Sequence, residues 1–505
     1  MENEIELKFF VSPEFSDVLK QKLTEQKILQ QNTRDLGNTY FDTQDNWLRQ
    51  HDTGMRIRRF DDVFVQTVKT SGRVVAGLHQ RPEYNAEHSS NNPDPSLHPD
   101  DIWPEGRSVA ELSEQLTPIF ATNFNRELWL IGMADGSQVE VVFDQGEVVA
   151  GENTTPICEV ELELKSGQTD ALFTLARQLS EEGGVRLGNL SKAARGYRLA
   201  QGYEGSKPRP LGLVQTQAQD SVEECFIKSL EHALAHWLYH EQAYVEEPSM
   251  DCLHEISHAL SFVRQTLAVF GGIIPKRASA IVRQELKWLE QELDWLKNAD
   301  YLDELTEDKG HALRKLDARK ELVQRLTEMR DELPSHEDIL ELFQSARYAG
   351  LILDLSRWLL TKGWQPFLEE KASKKMASNV VQFSKDQLDR TWAELQSSFP
   401  IEQPLSAQDY VKEQYHLNRS LFSGICFAAI FDQELRQVFR LPWADLAQGI
   451  DDLLTLETVR PLVEEFEGDE QEQLQRWLDR QQTSILHAME QTRAMCLEVE
   501  PYWKA

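Results

Sequence analysis

The first two hundred residues alternate apolar and polar side chains in short runs. These are Ile5–Phe9, Met55–Arg58, Val63–Lys69, Val139–Phe143 and Glu159–Lys165. A period of two predicts strands whose successive side chains point to opposite faces. Helical spacing predicts helices over Phe15–Gln30 and Asp170–Glu182 between them. From about Val222 the period lengthens to that of a helix, as in Leu253, Ile256, Leu260, Val263, Leu267 and Phe270. The stretch Gly202–Gly212 holds three glycines and two prolines and predicts a linker, and the proline-rich Asn85–Pro104 predicts a long loop inside the first domain. The expected class is α+β, with residues 1–203 strand-rich, 204–215 a linker and 216–505 all-helical.

The polar positions of the strands are unusual because they are charged. Glu4, Glu6 and Lys8 share one face of their strand, as do Arg56 and Arg58, and Glu159, Glu161, Glu163 and Lys165. Thr67 pairs with Lys69 in the same way, and His79 with Arg81 and Glu83. One such strand is ordinarily a solvated sheet face. Several of them, some acidic and some basic, fit a closed antiparallel barrel with charges inward and the apolar faces covered by helices. Clustered carboxylates are hard oxygen ligands for Mg²⁺ or Mn²⁺, whereas guanidinium and ammonium groups clamp phosphate oxygens. Together they predict a metal-dependent site for a phosphate polyanion.

The order of these motifs resembles that of the CYTH, or triphosphate tunnel metalloenzyme, superfamily. The resemblance starts with Glu4-Ile5-Glu6-Leu7-Lys8 and continues through Asn38–Thr43, Met55–Arg58, Thr67–Lys69, Arg81 and Glu83. Phe143–Gly146, Glu159–Lys165 and Ser191–Tyr197 complete it, over about residues 1–200. It implies an eight-stranded antiparallel β tunnel with flanking helices that binds a linear triphosphate. Glu4 and Glu6, with acids from Glu159, Glu161 and Glu163, would hold one or two divalent ions, either Mg²⁺ or Mn²⁺; which of the last three ligate stays open. Lys8, Arg56, Arg58, Lys69, Arg81 and Lys192 would grip the triphosphate, with Arg126 and Arg195 as outer members, and Glu4, Glu6 and Lys69 would be the catalytic set. The activity implied is an inorganic triphosphatase, acting on tripolyphosphate. Adenylate cyclase and thiamine triphosphatase are its relatives within the superfamily, and a non-catalytic polyphosphate-binding scaffold is the alternative of a different class.

A strand-rich domain of this kind followed by a long helical segment also resembles CYTH–CHAD proteins, whose histidine-led basic helices are associated with polyphosphate. Here His254 and His416 each open an amphipathic run, but Ser257, Ser261 and Phe262 stand at the expected basic positions after the first. After the second, Arg419 is followed by Ser423, Gly424 and Cys426. A scaffold or regulatory role for the helical half follows, with longer polyphosphate as its weaker partner. His254-Glu255-Ile256-Ser257-His258 matches the HExxH of zinc proteases, but Ser261 and Arg264 occupy the offsets where a third histidine would stand. The bland reading of that pair, two histidines flanking an apolar stripe, is preferred.

Composition narrows the partners. The formal charge of −31 disfavours nucleic acid and anionic membrane surfaces. No apolar run reaches bilayer length, and the acidic opening MENEIELKFF reads as no secretory leader. The five scattered cysteines suggest a reducing, cytoplasmic setting.

Overall fold

Charged side chains on one face of a strand can leave solvent only where the sheet closes and opposite charges meet inside. A computed structural model describes residues 2–60, 63–75, 77–306 and 319–504, and its first unit makes that closure. The strands are β1 (Glu2–Val11), β2 (Ile28–Asp42), β3 (Gly54–Phe60), β4 (Val63–Lys69), β5 (Arg73–Val75), β6 (Leu78–His88), β7 (Thr117–Gly132), β8 (Gln138–Ala150), β9 (Asn153–Ser166) and β10 (Val185–Leu187). All their pairings are antiparallel, in the order β10-β1-β9-β8-β7-β2-β3-β4-β6-β5, and an additional β1–β6 pairing closes the ring. The sheet therefore has ten strands rather than the eight expected. Eight long strands form the ring, while the three-residue β5 and β10 pair outside it, on β6 and on the end of β1.

Helices α1 (Phe15–Thr24), α2 (Trp47–Gln50), α3 (Val109–Gln115), α4 (Asp170–Leu179) and α5 (Lys192–Ala200) accompany the ring. Helix α1 is shorter than its sequence pattern suggests. Ile28 and Leu29 are exposed and Ile28 already pairs with Ile131, so Ile28–Gln30 belongs to β2. Likewise α4 stops at Leu179, before Gly183 and Gly184 at positive φ. The apolar faces of the strands point outward and are covered. Leu7, Phe9, Val141 and Leu162 are buried on strands that α4 contacts, while Met55, Ile57 and Val68 pack with Trp47, Trp103, Leu112 and Leu116.

The helical part comprises α6 (Val222–Glu246), α7 (Met250–Val269), α8 (Ala280–Glu292), α9 (Trp295–Thr306), α10 (Arg319–Asp331), α11 (His336–Gln344) and α12 (Ala346–Leu360). It continues with α13 (Glu370–Met376), α14 (Val380–Ser398), α15 (Ala407–Phe427), α16 (Gln433–Val463) and α17 (Gly468–Glu498). Two compact units result. The first joins Met1–Lys207 to Glu241–Glu247 and Ile339–Gly363, and the second holds the remaining helices. Within the first unit α12 lies against α4 and β10, and buried Glu241 accepts hydrogen bonds from Arg186 (2.9 Å) and from the Tyr348 hydroxyl (2.7 Å).

Where β7 and β8 cross closely there is no room for a side chain at position 146. A Cβ on Gly146 would stand 2.1 Å from the Asn123 carbonyl oxygen and 2.5 Å from the Phe124 Cα, both backbone atoms. Gly146→Ala should cost about 1–3 kcal/mol by overpacking, seen as a lower unfolding temperature in calorimetry. Gly271→Ala, where nothing lies within 4 Å, is the neutral control. Equal melting of the two variants would show that β7 and β8 can spread.

Candidate functional site: a charged tunnel

Inside the ring is a cavity of about 250 Å³ lined by charges from seven strands and from α5. Strand β1 contributes Glu4, Glu6 and Lys8; β3 contributes Arg56 and Arg58; β4 contributes Lys69; β6 contributes His79, Arg81 and Glu83. Arg126 comes from β7, Glu140 from β8, Glu161, Glu163 and Lys165 from β9, and Lys192 from α5. Register explains the convergence. Glu6 lies opposite Glu163 and Lys8 opposite Glu161, while Glu4 faces Arg81 on the other neighbour. Helix α5 is set by the Ser191 side chain capping Ala194 N–H, and the Tyr197 hydroxyl donates to Asp42 at 2.7 Å. That Asp42 also accepts the backbone N–H groups of Thr43, Leu48 and Arg49, so its part is structural.

Part of the tunnel is electrically self-contained. Lys8, 1% exposed, bridges Glu159 (2.9 Å) and Glu161 (2.7 Å). Lys192 contacts Asp144 (2.6 Å), Glu161 (3.0 Å) and Glu159, and Arg126 holds Asp144 through two 2.7 Å hydrogen bonds and Glu161 through one of 3.1 Å. Three cations thus face three carboxylates. Burial opposes charge on Glu161, yet Lys192 and Lys8 hold it well below the usual carboxylate range. Asp144, Glu159 and Glu161 are close enough to one another to ligate one ion, but in this structure Lys8, Lys192 and Arg126 already bind their oxygens. Glu159 and Arg195 are the two expected site residues outside the cavity lining. Glu159 is fully buried, and Arg195 reaches it at 3.4 Å while donating to the Pro156 carbonyl.

Elsewhere in the cavity the charges are short of partners. Lys69 contacts Glu4 and lies 3.0 Å from Glu83, and Arg81 reaches Asp52 at 3.3 Å. Among the described residues, however, neither Arg56 nor Arg58 has a carboxylate within salt-bridge reach, and the buried Arg56 Nε has no acceptor. Arg58 donates through Nε to the Asn38 side-chain oxygen at 2.9 Å, and burial beside Arg56 and Arg126 holds it down to about 9. Glu6 has no cation in contact among the described residues. Burial, then repulsion from Glu161, pushes its carboxyl up, and burial does the same to Glu4 and Glu163. Glu83, by contrast, is held at about 2: burial raises it, but Lys69 and Arg56 outweigh burial.

The metal-ligand chemistry expected of the site fits these residues. Glu4, Glu6 and Glu163 present only oxygen donors and all line the cavity; Lys69 contacts Glu4 and Lys165 lies 2.7 Å from Glu163, whereas Glu6 has no cation in contact among the described residues. Sequence reasoning assigned no role to Glu140 or Asp144 and none to Glu83, although each sits on the charged face of its strand. The period-two pattern alone could have found them, since Glu140 and Asp144 stand in phase on β8.

Residues 2–197 match the CYTH domain and residues 228–422 match the CHAD domain. The chain carries a CYTH domain followed by a CHAD domain. A curated relative, the inorganic triphosphatase of Haemophilus influenzae, is 42% identical over 204 residues, covering 39% of this chain and 55% of its own. This chain therefore spans about half the length of that relative. Among solved structures, a Hippeastrum protein described as having a dominant triphosphatase activity aligns over 39% of this chain and 96% of its own, at 20% identity and a TM-score of 0.29. The CHAD domain of the plant Ricinus communis aligns over 59% of this chain and 98% of its own, at 18% identity and a TM-score of 0.44.

The CYTH tunnel also contains a silent histidine. His79 is 5% exposed and its Nε2 donates to the Gly188 carbonyl at 3.2 Å. Burial, helped by Lys8 and Arg81, holds its imidazole down to about 3. In an unfolded chain it would titrate near pH 6.5. The unfolded state therefore binds more protons between these values, and this residue removes stability as pH falls from about 6.5 towards 3. In NMR the His79 ring should stay in its neutral position down to about pH 4; a midpoint near 6.5 would contradict its burial.

Proposed function

We propose that this protein is a metal-dependent inorganic triphosphatase that hydrolyses tripolyphosphate to pyrophosphate and phosphate in the CYTH tunnel. The observation that carries the reading is a double shortage in one cavity. Among the described residues, Arg56 and Arg58 face it with no carboxylate in contact, and Glu6 faces it with no cation in contact. A polyphosphate with a divalent ion relieves both shortages at once, because its oxygens accept the arginine N–H groups while the ion meets the carboxylates. The similarity to the Haemophilus enzyme supports this reading.

Glu4, Glu6 and Glu163 would hold Mg²⁺ or Mn²⁺, with Glu161 and Glu159 behind them in the lysine-bound cluster. When bound, such an ion screens phosphoryl charge and lowers the pKa of a water. Arg56, Arg58 and Arg81 bind and orient the triphosphate, and Lys8, Arg126 and Lys192 line the same cavity with their charges balanced by Asp144, Glu159 and Glu161. Arg195 supports that cluster through Glu159. Burial disfavours the Lys69 ammonium, but Glu4 and Glu83 more than offset it and raise its pKa above the usual lysine range. Lys69 therefore remains a cation at neutral pH and stabilises charge on phosphoryl oxygens rather than accepting a proton. Water attacks the terminal phosphorus in line, and the pyrophosphate leaves with its charge held by the arginines.

The helical half is read as a scaffold, since Ser257, Ser261 and Phe262 replace the basic positions that polyphosphate would need on α7. The described helices include none long and apolar enough to cross a membrane. The five free cysteines support a reducing, cytoplasmic location.

The test is phosphate release from tripolyphosphate, ATP and thiamine triphosphate, each with Mg²⁺, Mn²⁺ or chelator, with ATP also assayed for cyclic AMP. Release should be metal-dependent and fastest from tripolyphosphate. Arg58→Ala and Glu6→Gln should lower kcat by about 10²–10³-fold or more with unchanged circular dichroism. Turnover that survives chelator, or cyclic AMP formation, would overturn the reading.

A further inference from the structure

The HExxH segment has no part in the tunnel, and in α7 it does not have the geometry of a zinc protease. His254 Nε2 bonds Asp300 at 2.8 Å, and His258 lies half exposed with its Nδ1 3.4 Å from Glu255. Glu255 meets α6 instead, where His232, His236 and His240 stand one turn apart on one face. Its Oε2 is 2.7 Å from His236 Nε2, and the rings of His236 and His240 are centred 4.2 Å apart. One donor atom from each of His236, His240 and Glu255 lies within 4.8 Å of the other two.

Hydrogen bonding has prepared these groups. His240 Nδ1–H donates to the His236 carbonyl at 2.8 Å, which fixes the tautomer and leaves the lone pair on Nε2. Metal-bound histidines are oriented by the same kind of bond to a carbonyl. At present that lone pair accepts the backbone N–H of Arg209 at 3.1 Å. Arg209 is exposed, so water can take over its N–H. His232 lies outside this cluster, and its Nε2–H donates to the Gly212 carbonyl at 2.9 Å. Residues 209–212 thus form a strap fastened by the two outer histidines, with His236 facing Glu255 between them.

We propose that His236, His240 and Glu255 form a binding site for a transition ion of borderline softness such as Zn²⁺, which ties α6 to α7. Two imidazoles and a carboxylate make a three-ligand set with a fourth position for water. Nitrogen donors separate this site from the all-oxygen tunnel, which suits Mg²⁺ or Mn²⁺. The α6 sequence His236-Trp-Leu-Tyr-His240 has no glutamate beside its first histidine, where the protease motif carries its base. No catalytic step is assigned to the ion.

The experiment is Co²⁺ addition to the metal-free full chain with excess Mg²⁺ present to fill the tunnel, followed by visible absorption. One equivalent of Co²⁺ should give ligand-field bands that Zn²⁺ displaces. His240→Gln and His236→Ala should weaken binding about 10–100-fold and remove the bands with unchanged circular dichroism, while His254→Ala and His258→Ala retain them. Absence of bands in the wild type, bands that persist in both α6 variants, or bands that depend on His254 would each overturn the proposal. If one α6 variant loses its helical signal, the other variant decides.

Discussion

Burial of Lys8 between Glu159 and Glu161 is the interaction on which the CYTH tunnel depends. A lysine 1% exposed, facing a carboxylate that is fully buried, is tolerable only because the ring brings both charges together. The same cluster includes Lys192, Asp144 and Arg126, so α5 and strands β7, β8, β9 and β1 are held by one set of opposed charges. Removing one partner from such a buried set typically costs about 3–5 kcal/mol, because the other charge stays behind unpaired. The ring therefore spends its strongest ion pairs on architecture. What it leaves without an ion-pair contact among the described residues, Arg56, Arg58 and Glu6, is available for chemistry.

That division separates structural from functional charge within one cavity. Asn38 donates to Thr122 at 3.0 Å and accepts from Arg58, so it aims the guanidinium without neutralising it. The Thr67 hydroxyl donates to Asn85, whose amide donates to Glu83, and Glu83 in turn faces Lys69. Neutral amides and hydroxyls thus position the charged groups while leaving their potential directed at the cavity.

How much of this was legible in the sequence varied with the strand. On β1, β3 and β9 successive inward positions are charged (Glu4, Glu6 and Lys8; Arg56 and Arg58; Glu159, Glu161, Glu163 and Lys165) and the positions between them apolar, so the period of two was plain there. Strand β7 hides its phase. Its buried residues are Phe120, Thr122 and Phe124 before Arg126, but Trp129 and Ile131 after it. The inner face is aromatic at one end, where Phe120 stacks on Tyr40, and carries Arg126 followed by Leu128 and Leu130 towards the other, while the buried positions change sides along the strand. The three-residue strands β5 and β10 are too short to carry any pattern, which is why ten strands were not foreseen. In the CHAD-bearing half, Glu255 of the HExxH match lies 2.7 Å from His236 on α6, a neighbour that local spacing could not reveal, because partners on another helix have no signature in it.

One cavity needs an anion and a cation together, so the two ligands should bind cooperatively. Mn²⁺ affinity should be measured by electron paramagnetic resonance, with and without tripolyphosphate, on the full chain carrying Glu6→Gln as the comparison. Tripolyphosphate should tighten Mn²⁺ binding by about tenfold or more, a coupling of about 1.4 kcal/mol, and Glu6→Gln should reduce this gain. Equal Mn²⁺ affinity in the presence and absence of tripolyphosphate would contradict it.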